Sequence, residues 1–340
     1  MKLAGALGLL FGLALAAVLV VSHGAGAIWR SIETLGWGGL AAIIGFHLGL
    51  IGLMGFAWFL LGKGRPDSTW PRYAWGRLIR DSASEALPLS QIGGFVLGAR
   101  AASLAGIAGP FAAASTVVDV TTELVAQLFY VLAGVAILQL FRPDAGLALS
   151  VSAGVGGMAV LVCIFVAVQA RGAGHAERLL LRLAGRFLGA EAAGSSRVQR
   201  DIHDLHRRPT ILAAATLVHC MCWFLSGVET WLTLHIMGVP ISLAAALVID
   251  SLLYALRSVA FMVPNALGVQ EGALLFLGGL FGVGADTALA VSLIKRGRDL
   301  IIGVPALLAW AGLERVFFSE EKKQKTFGRW GRVPGSRDTP

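Results

Sequence analysis

The 340 residues carry 28 Lys and Arg against 20 Asp and Glu, a formal net charge of +8, yet only 14% are charged and 56% are hydrophobic. Mean hydropathy is +0.75. A water-soluble domain carries roughly 25% charged residues, so this composition excludes a chain solvated by water alone. The basic residues flank apolar runs and do not interleave with stacking aromatics, which excludes a nucleic-acid surface.

Lys2 followed by apolar residues 3–22 reads as a retained first span, because a run of about 20 residues crosses a bilayer unaided. Ala25-Gly26-Ala27 has the form of a cleavage site, but the apolar part of a cleaved signal is shorter. Further spans are expected at 36–61, 112–141, 147–170, 211–236, 241–262, 266–283 and 287–313. The last is long and interrupted by Lys295, Arg296, Arg298 and Asp299, which leaves open a broken or re-entrant span. In lipid the backbone must satisfy its own hydrogen bonds, so the expected fold is all-α, a polytopic bundle of about eight transmembrane helices.

Lys and Arg collect between the second and third spans (Lys63, Arg65, Arg72, Arg77, Arg80), in the connection 171–209 and in the tail 315–340. The positive-inside rule then puts both termini and these connections in the cytoplasm. Arg178, Arg182 and Arg186 recur every four residues among leucines. That spacing fits a helix lying on anionic lipid headgroups, and equally a basic loop that is merely helical. Residues 1–314 are expected to form the membrane domain, with 171–209 as a cytoplasmic basic connection within it. The polar tail 315–340 is expected to be disordered. Cys163, Cys220 and Cys222 lie in apolar stretches without a CxxC pair, and no disulfide framework is expected.

Two stretches break the rules of a simple span. Residues 80–94 pass from Arg80 through Glu85 to Pro88 and the Gly93-Gly94 pair; residues 257–272 pass from Arg257 through Pro264 to Gly268 and Gly272. Proline removes an amide donor and glycine admits left-handed backbone, so each stretch should interrupt its helix. Broken backbone at membrane depth is tolerated where it packs in protein or lines a wet cavity. Paired Gly/Pro-interrupted segments also point to a binding site between internal repeats.

Polar residues inside the spans carry the next signal. Asp119, Glu123 and Gln127 are four apart and share a helical face with Ser115 and Tyr130. A mid-membrane carboxylate costs on the order of 3 kcal/mol, so these two must face the interior and meet a cation, a proton or water. Arg257, on one face with Asp250 and Tyr254, is the expected cation, with Lys295, Arg296 and Arg298 as further partners. His219 shares a face with Thr216, Trp223, Ser226 and Thr230 and reads mainly as a packed helix-contact residue. No metal-binding, nucleotide-binding or catalytic-triad signature is present, and no metal or cofactor is expected.

Ser82 to Arg100 (SASEALPLSQIGGFVLGAR), Ser115 to Gln127 (STVVDVTTELVAQ) and the string VPNALGVQEG at Val263–Gly272 together resemble the transmembrane, flippase-like domain of lysylphosphatidylglycerol synthases. The likeness covers most of 1–314 and is greatest for the stand-alone, hopanoid-biosynthesis-associated HpnL-type proteins. It implies moving or positioning a membrane lipid, with hopanoid, aminoacylated or other phospholipid, or polyprenyl carrier as candidate substrates. The full synthases add a large soluble aminoacyl-transfer domain after this part; residues 315–340 are too few to hold one, so no enzyme activity is expected from the resemblance.

Glu85-Ala86-Leu87-Pro88-Leu89-Ser90 is also similar to the E-x-L-P-x-S string of undecaprenyl-pyrophosphate phosphatases. That family's histidine beyond the glycine and its Ser- and Arg-rich second motif are missing here. A scaffold for lipid-biosynthesis enzymes is the other alternative. The expected site is a cavity between two halves. Ser82, Glu85, Ser90 and Gln91 from one half and Asn265, Gln270 and Glu271 from the other would bond a headgroup, and Asp119, Glu123 and Arg257 would set its charge. Burial raises carboxylate pKa values, which gives proton coupling a physical route without requiring it.

Overall fold

The computed structural model describes residues 25–86, 90–141, 196–260 and 266–330, together with 156, 157 and 160. The expected spans 3–22 and 147–170, the Arg178-Arg182-Arg186 repeat, Pro88, Pro264 and Asn265 lie outside the described residues. Nine helices are described: α1 Ala25–Leu61, α2 Trp70–Ala86, α3 Ser90–Leu104, α4 Gly109–Phe141, α5 Ser196–His206, α6 Pro209–Ile236, α7 Leu243–Val259, α8 Val269–Leu280 and α9 Ala285–Trp330.

The architecture is all-helical among these residues. Three helices are long and apolar enough to cross a bilayer: Ile32–Leu61 within α1, α4 and α6, matching the expected spans 36–61, 112–141 and 211–236. Their outward faces carry large apolar side chains such as Phe129, Leu140 and Leu217, which suits a lipid solvent and not water. α1 bends at Gly36, where φ is +65°, a conformation only glycine adopts freely.

Elsewhere the span expectations need correction. The stretch 266–283 yields only the 12-residue α8, about 18 Å long at 1.5 Å per residue, too short for a hydrocarbon core of about 30 Å. The stretch 287–313 is not broken: α9 runs unbroken from Ala285 through Pro305. It tolerates its charges because Lys295 and Arg298 are buried and paired with partners on other helices. The helical backbone also passes residue 314 and continues to Trp330, a segment rich in Glu and Lys, which are good helix formers.

The stretch between the expected spans 36–61 and 112–141, read from sequence as a basic cluster leading into an interrupted helix around Pro88, contains the helical hairpin α2–α3. Its two short helices approach closely enough that a Cβ at Gly94 or Gly98 would collide with the other helix: Gly94 faces Ser84 and the Arg80 carbonyl, and Gly98 faces Arg80 and the Gly76 carbonyl, while a Cβ at Gly76 would meet Trp58 of α1 and press on Ala102. Gly94 and Gly98 form a small-xxx-small pair of the kind that brings helices into backbone contact. Gly98→Val should therefore force the hairpin apart and lower stability by about 1–3 kcal/mol, the usual cost of overpacking. Thermal unfolding in detergent checks it; an unchanged midpoint would show that the hairpin can open without cost. The hairpin is followed by a loop anchored on Asp67, which accepts from the Ala108 amide at 3.0 Å just before α4. Burial opposes its ionisation, but this amide and the Arg65 guanidinium outweigh it and hold the carboxyl below its ordinary value.

Two apolar clusters close the bundle. One joins Val131, Val135 and Leu138 of α4 to Leu252, Leu253, Leu274, Leu277 and Val291 of α7, α8 and α9. The other joins Phe111, Ala114 and Val118 of α4 to Trp58, Tyr73, Ala102, Val198, Ile202 and Ala215. α4 is thus apolar at both ends of its buried face and polar in the middle, where Asp119, Glu123 and Gln127 stand. The site lies in that middle layer.

Candidate functional site

α2 and α4 meet through a cluster of ion pairs. Arg80 donates to Asp119 Oδ2 at 2.7 Å and to Glu123 Oε2. Arg77 grips both Glu123 oxygens at 2.9 and 2.7 Å and donates to Asp81 at 2.7 Å. Asp119 is fully buried, and its other oxygen lies 3.0 Å from His219 Nε2 on α6. The expectation that Asp119 and Glu123 pair with Arg257 is therefore wrong. Arg77 and Arg80, read from sequence as loop charges that set topology, are 4% exposed and neutralise the carboxylates themselves. The periodicity of α4 gave the correct face; the partner was missed because the hairpin was missed.

Arg257, near the end of α7, instead donates to Glu85 Oε1 at 2.8 Å and to Gln270 Oε1 at 2.7 Å. Behind it runs a ladder: Gln270 donates to Ser292 at 2.9 Å, Ser292 donates to Glu271 at 2.8 Å, and Arg296 grips Glu271 at 2.8 and 3.2 Å. Glu271 Oε2 also accepts the Gly268 amide at 2.7 Å, which satisfies one free amide at the start of α8. Gln270 and Glu271 are 1% and 2% exposed. They hold α8 against α9 behind the cavity wall and do not line the cavity, contrary to the expected placement. The Ser82 hydroxyl donates to the Leu78 carbonyl at 2.7 Å. Ser90 and Gln91 begin α3.

A third cluster was not anticipated as such. Glu229 on α6 accepts from Arg298 on α9 and lies 2.9 Å from His47 Nδ1 on α1. Arg298 also bonds Asp299 Oδ1 at 2.9 and 2.7 Å. Asp250 on α7, fully buried, accepts from Lys295 at 3.1 Å, Thr230 at 2.6 Å and Tyr130 at 3.1 Å. The signal for Glu229 was present: it is the one carboxylate of the apolar run 211–236, and such a residue faces the bundle interior.

These clusters converge on a cavity of about 400 Å³. Its polar wall carries Arg77, Arg80, Arg257 and Arg298 against Asp81, Glu85, Glu123 and Asp299, with Ser82, Gln127 and Ser258. Its apolar wall carries Leu50, Ile51, Met54, Val120, Leu124 and Ile302, and Phe95, Trp223 and Tyr254 supply aromatic faces. Of the expected site residues, Ser82, Glu85, Glu123 and Arg257 line it; Asp119 lies one layer behind, bonded to Arg80. Four guanidiniums and four carboxylates in one cavity can hold a polar or charged group while the apolar wall takes hydrocarbon. Among the described residues, no group of His, Cys, Asp and Glu is arranged to hold a metal ion.

A bundle with lipid-facing apolar helices around a charged interior is that of a multi-pass helical membrane protein. Residues 5–306 match the family model described as the lysylphosphatidylglycerol synthase transmembrane region, and the chain belongs to that family. The comparisons with curated proteins and with solved structures found no match. The family places the protein in lipid-related processes, and its model describes a transmembrane region, not a catalytic domain.

Proposed function

We propose that the protein moves or positions a lipid across the bacterial inner membrane, holding the headgroup in the charged cavity while the tails stay in the bilayer. The cavity carries this reading. At about 400 Å³ it sits at the small end of ligand pockets, which run to about 300–1,000 Å³, a size for a headgroup and not for two acyl chains. Its lining combines charged and apolar side chains, as an amphipathic ligand requires. Glu85 and Arg257 at the ends of α2 and α7 put it beside both interrupted segments, where transporter sites are commonly built.

The likeness to HpnL-type proteins makes a hopanoid one candidate lipid, beside aminoacylated or other phospholipids and polyprenyl carriers. In this reading both termini are cytoplasmic, the basic connection 171–209 meets anionic headgroups, and lipid-biosynthesis enzymes are neighbours in the membrane. The purified protein, reconstituted into liposomes, should speed the transfer of fluorescent lipids between leaflets relative to protein-free vesicles and should release no phosphate from polyprenyl pyrophosphate. Phosphate release that is lost in Glu85→Gln would replace this reading with a phosphatase. Inactivity toward every lipid class tested, with the protein folded, would replace it with a scaffold.

A further inference from the structure

The carboxylates of the cavity are not equally committed. Both oxygens of Glu123 are gripped by arginines, as both oxygens of Asp119 and Glu229 behind the wall are engaged. In Glu85, Oε1 takes one bond from Arg257, while Oε2 is buried and has no hydrogen-bond partner among the described residues. A buried oxygen left unpaired costs free energy, and a single-contact pair forgoes the two-bond fork that makes arginine–oxyanion contacts strong. The pair is also more open than the Arg77–Glu123 and Arg80–Glu123 pairs: the Arg257 and Glu85 side chains keep 15% and 27% exposure, against 5% for Arg77 and Arg80 and 12% for Glu123.

We infer that Glu85 is an exchangeable occupant of an oxyanion subsite on Arg257, and that the phosphate of a lipid headgroup takes its place during transport. This rests on the lipid-handling reading above. A phosphate offers oxygens at the spacing a guanidinium fork accepts, and Arg257 is held for the exchange by Gln270 at 2.7 Å, which is itself fixed to Ser292. Tyr254 lies with its ring centroid 5.5 Å from the guanidinium. Glu85 is one residue from the end of α2 and Arg257 two from the end of α7, so the pair joins the ends of these two helices. Arg296, Arg298 and Asp299 also act on Glu85 through their charges.

The sign of one substitution tests this. A residue that merely braces the fold weakens binding when removed; a competitor strengthens it. Full-length protein in detergent is titrated with dioctanoyl phosphatidylglycerol, with dioctanoylglycerol, which lacks the phosphate, and with inorganic phosphate. Glu85→Gln and Glu85→Ala should each tighten phosphatidylglycerol binding about tenfold, the order of one charge-assisted hydrogen bond released to the ligand, and should leave dioctanoylglycerol unchanged. Arg257→Gln should lose the binding, and Glu85→Gln with Arg257→Gln should be as weak as Arg257→Gln alone. A matching gain for inorganic phosphate would keep the oxyanion subsite and assign it to free phosphate. Unchanged or weaker phosphatidylglycerol binding in folded Glu85 variants, or binding retained in Arg257→Gln, overturns the inference. If wild-type protein still flips lipids in liposomes, the proposed function survives that result; if it flips none, the function reading itself has failed.

Discussion

Replacing Arg80 by glutamine is expected to destabilise the protein by about 3–5 kcal/mol, the usual cost of leaving a buried charge without its partner. Arg80 is 4% exposed and bonds Asp119 and Glu123 together. Removing its charge leaves Asp119, fully buried, with His219 at 3.0 Å and the Arg77 guanidinium at 3.8 Å. Thermal unfolding in detergent and the amount of protein recovered from membranes both read the loss. Arg197→Ala, at an exposed position on α5, should change neither. Adding Asp119→Asn to Arg80→Gln should recover part of the stability, because the uncompensated charge goes with it. Asp119→Asn combined with Arg257→Gln should give additive losses, since these residues belong to different clusters. A strong rescue in that second pair would contradict the placement of Arg257 against Glu85.

Lys295→Met is expected to cost about 3 kcal/mol. Asp250 has no exposed surface and keeps two neutral donors, Thr230 at 2.6 Å and Tyr130 at 3.1 Å, when the ammonium is gone. Tyr130→Phe, which removes one of those neutral bonds, should cost only about 1 kcal/mol. The pair Lys295→Met with Asp250→Asn should regain most of the loss, because an uncharged, hydrogen-bonded core of similar volume is often as stable as a buried ion pair. A double variant no better than Lys295→Met alone would show that the ammonium braces α9 by some other contact. Leaflet transfer measured on the same preparations separates stability from function: this cluster lies behind the cavity wall, so a folded double variant should still move lipid.

Local patterns in the chain determined the solvent, the helical class, the three long spans, and the inward face of α4 at Asp119, Glu123 and Gln127. Each follows from hydropathy or helical period within a few residues. The quoted strings also carried the family, which the match over residues 5–306 bears out. What the sequence left open was pairing. Arg80 and Asp119 are 39 positions apart, Arg257 and Glu85 172, Arg298 and Glu229 69, and several cations could have served each carboxylate. The choice was made by how closely helices approach. Gly76, Gly94 and Gly98 let α2 and α3 form a tight hairpin that carries Arg77 and Arg80 into the bundle, and those two arginines then occupy the carboxylates of α4. Arg257 is thereby left to Glu85 at the edge of the cavity. Such close approach is a property of two surfaces meeting, so only the tertiary structure decided which charges hold the fold and which face a ligand.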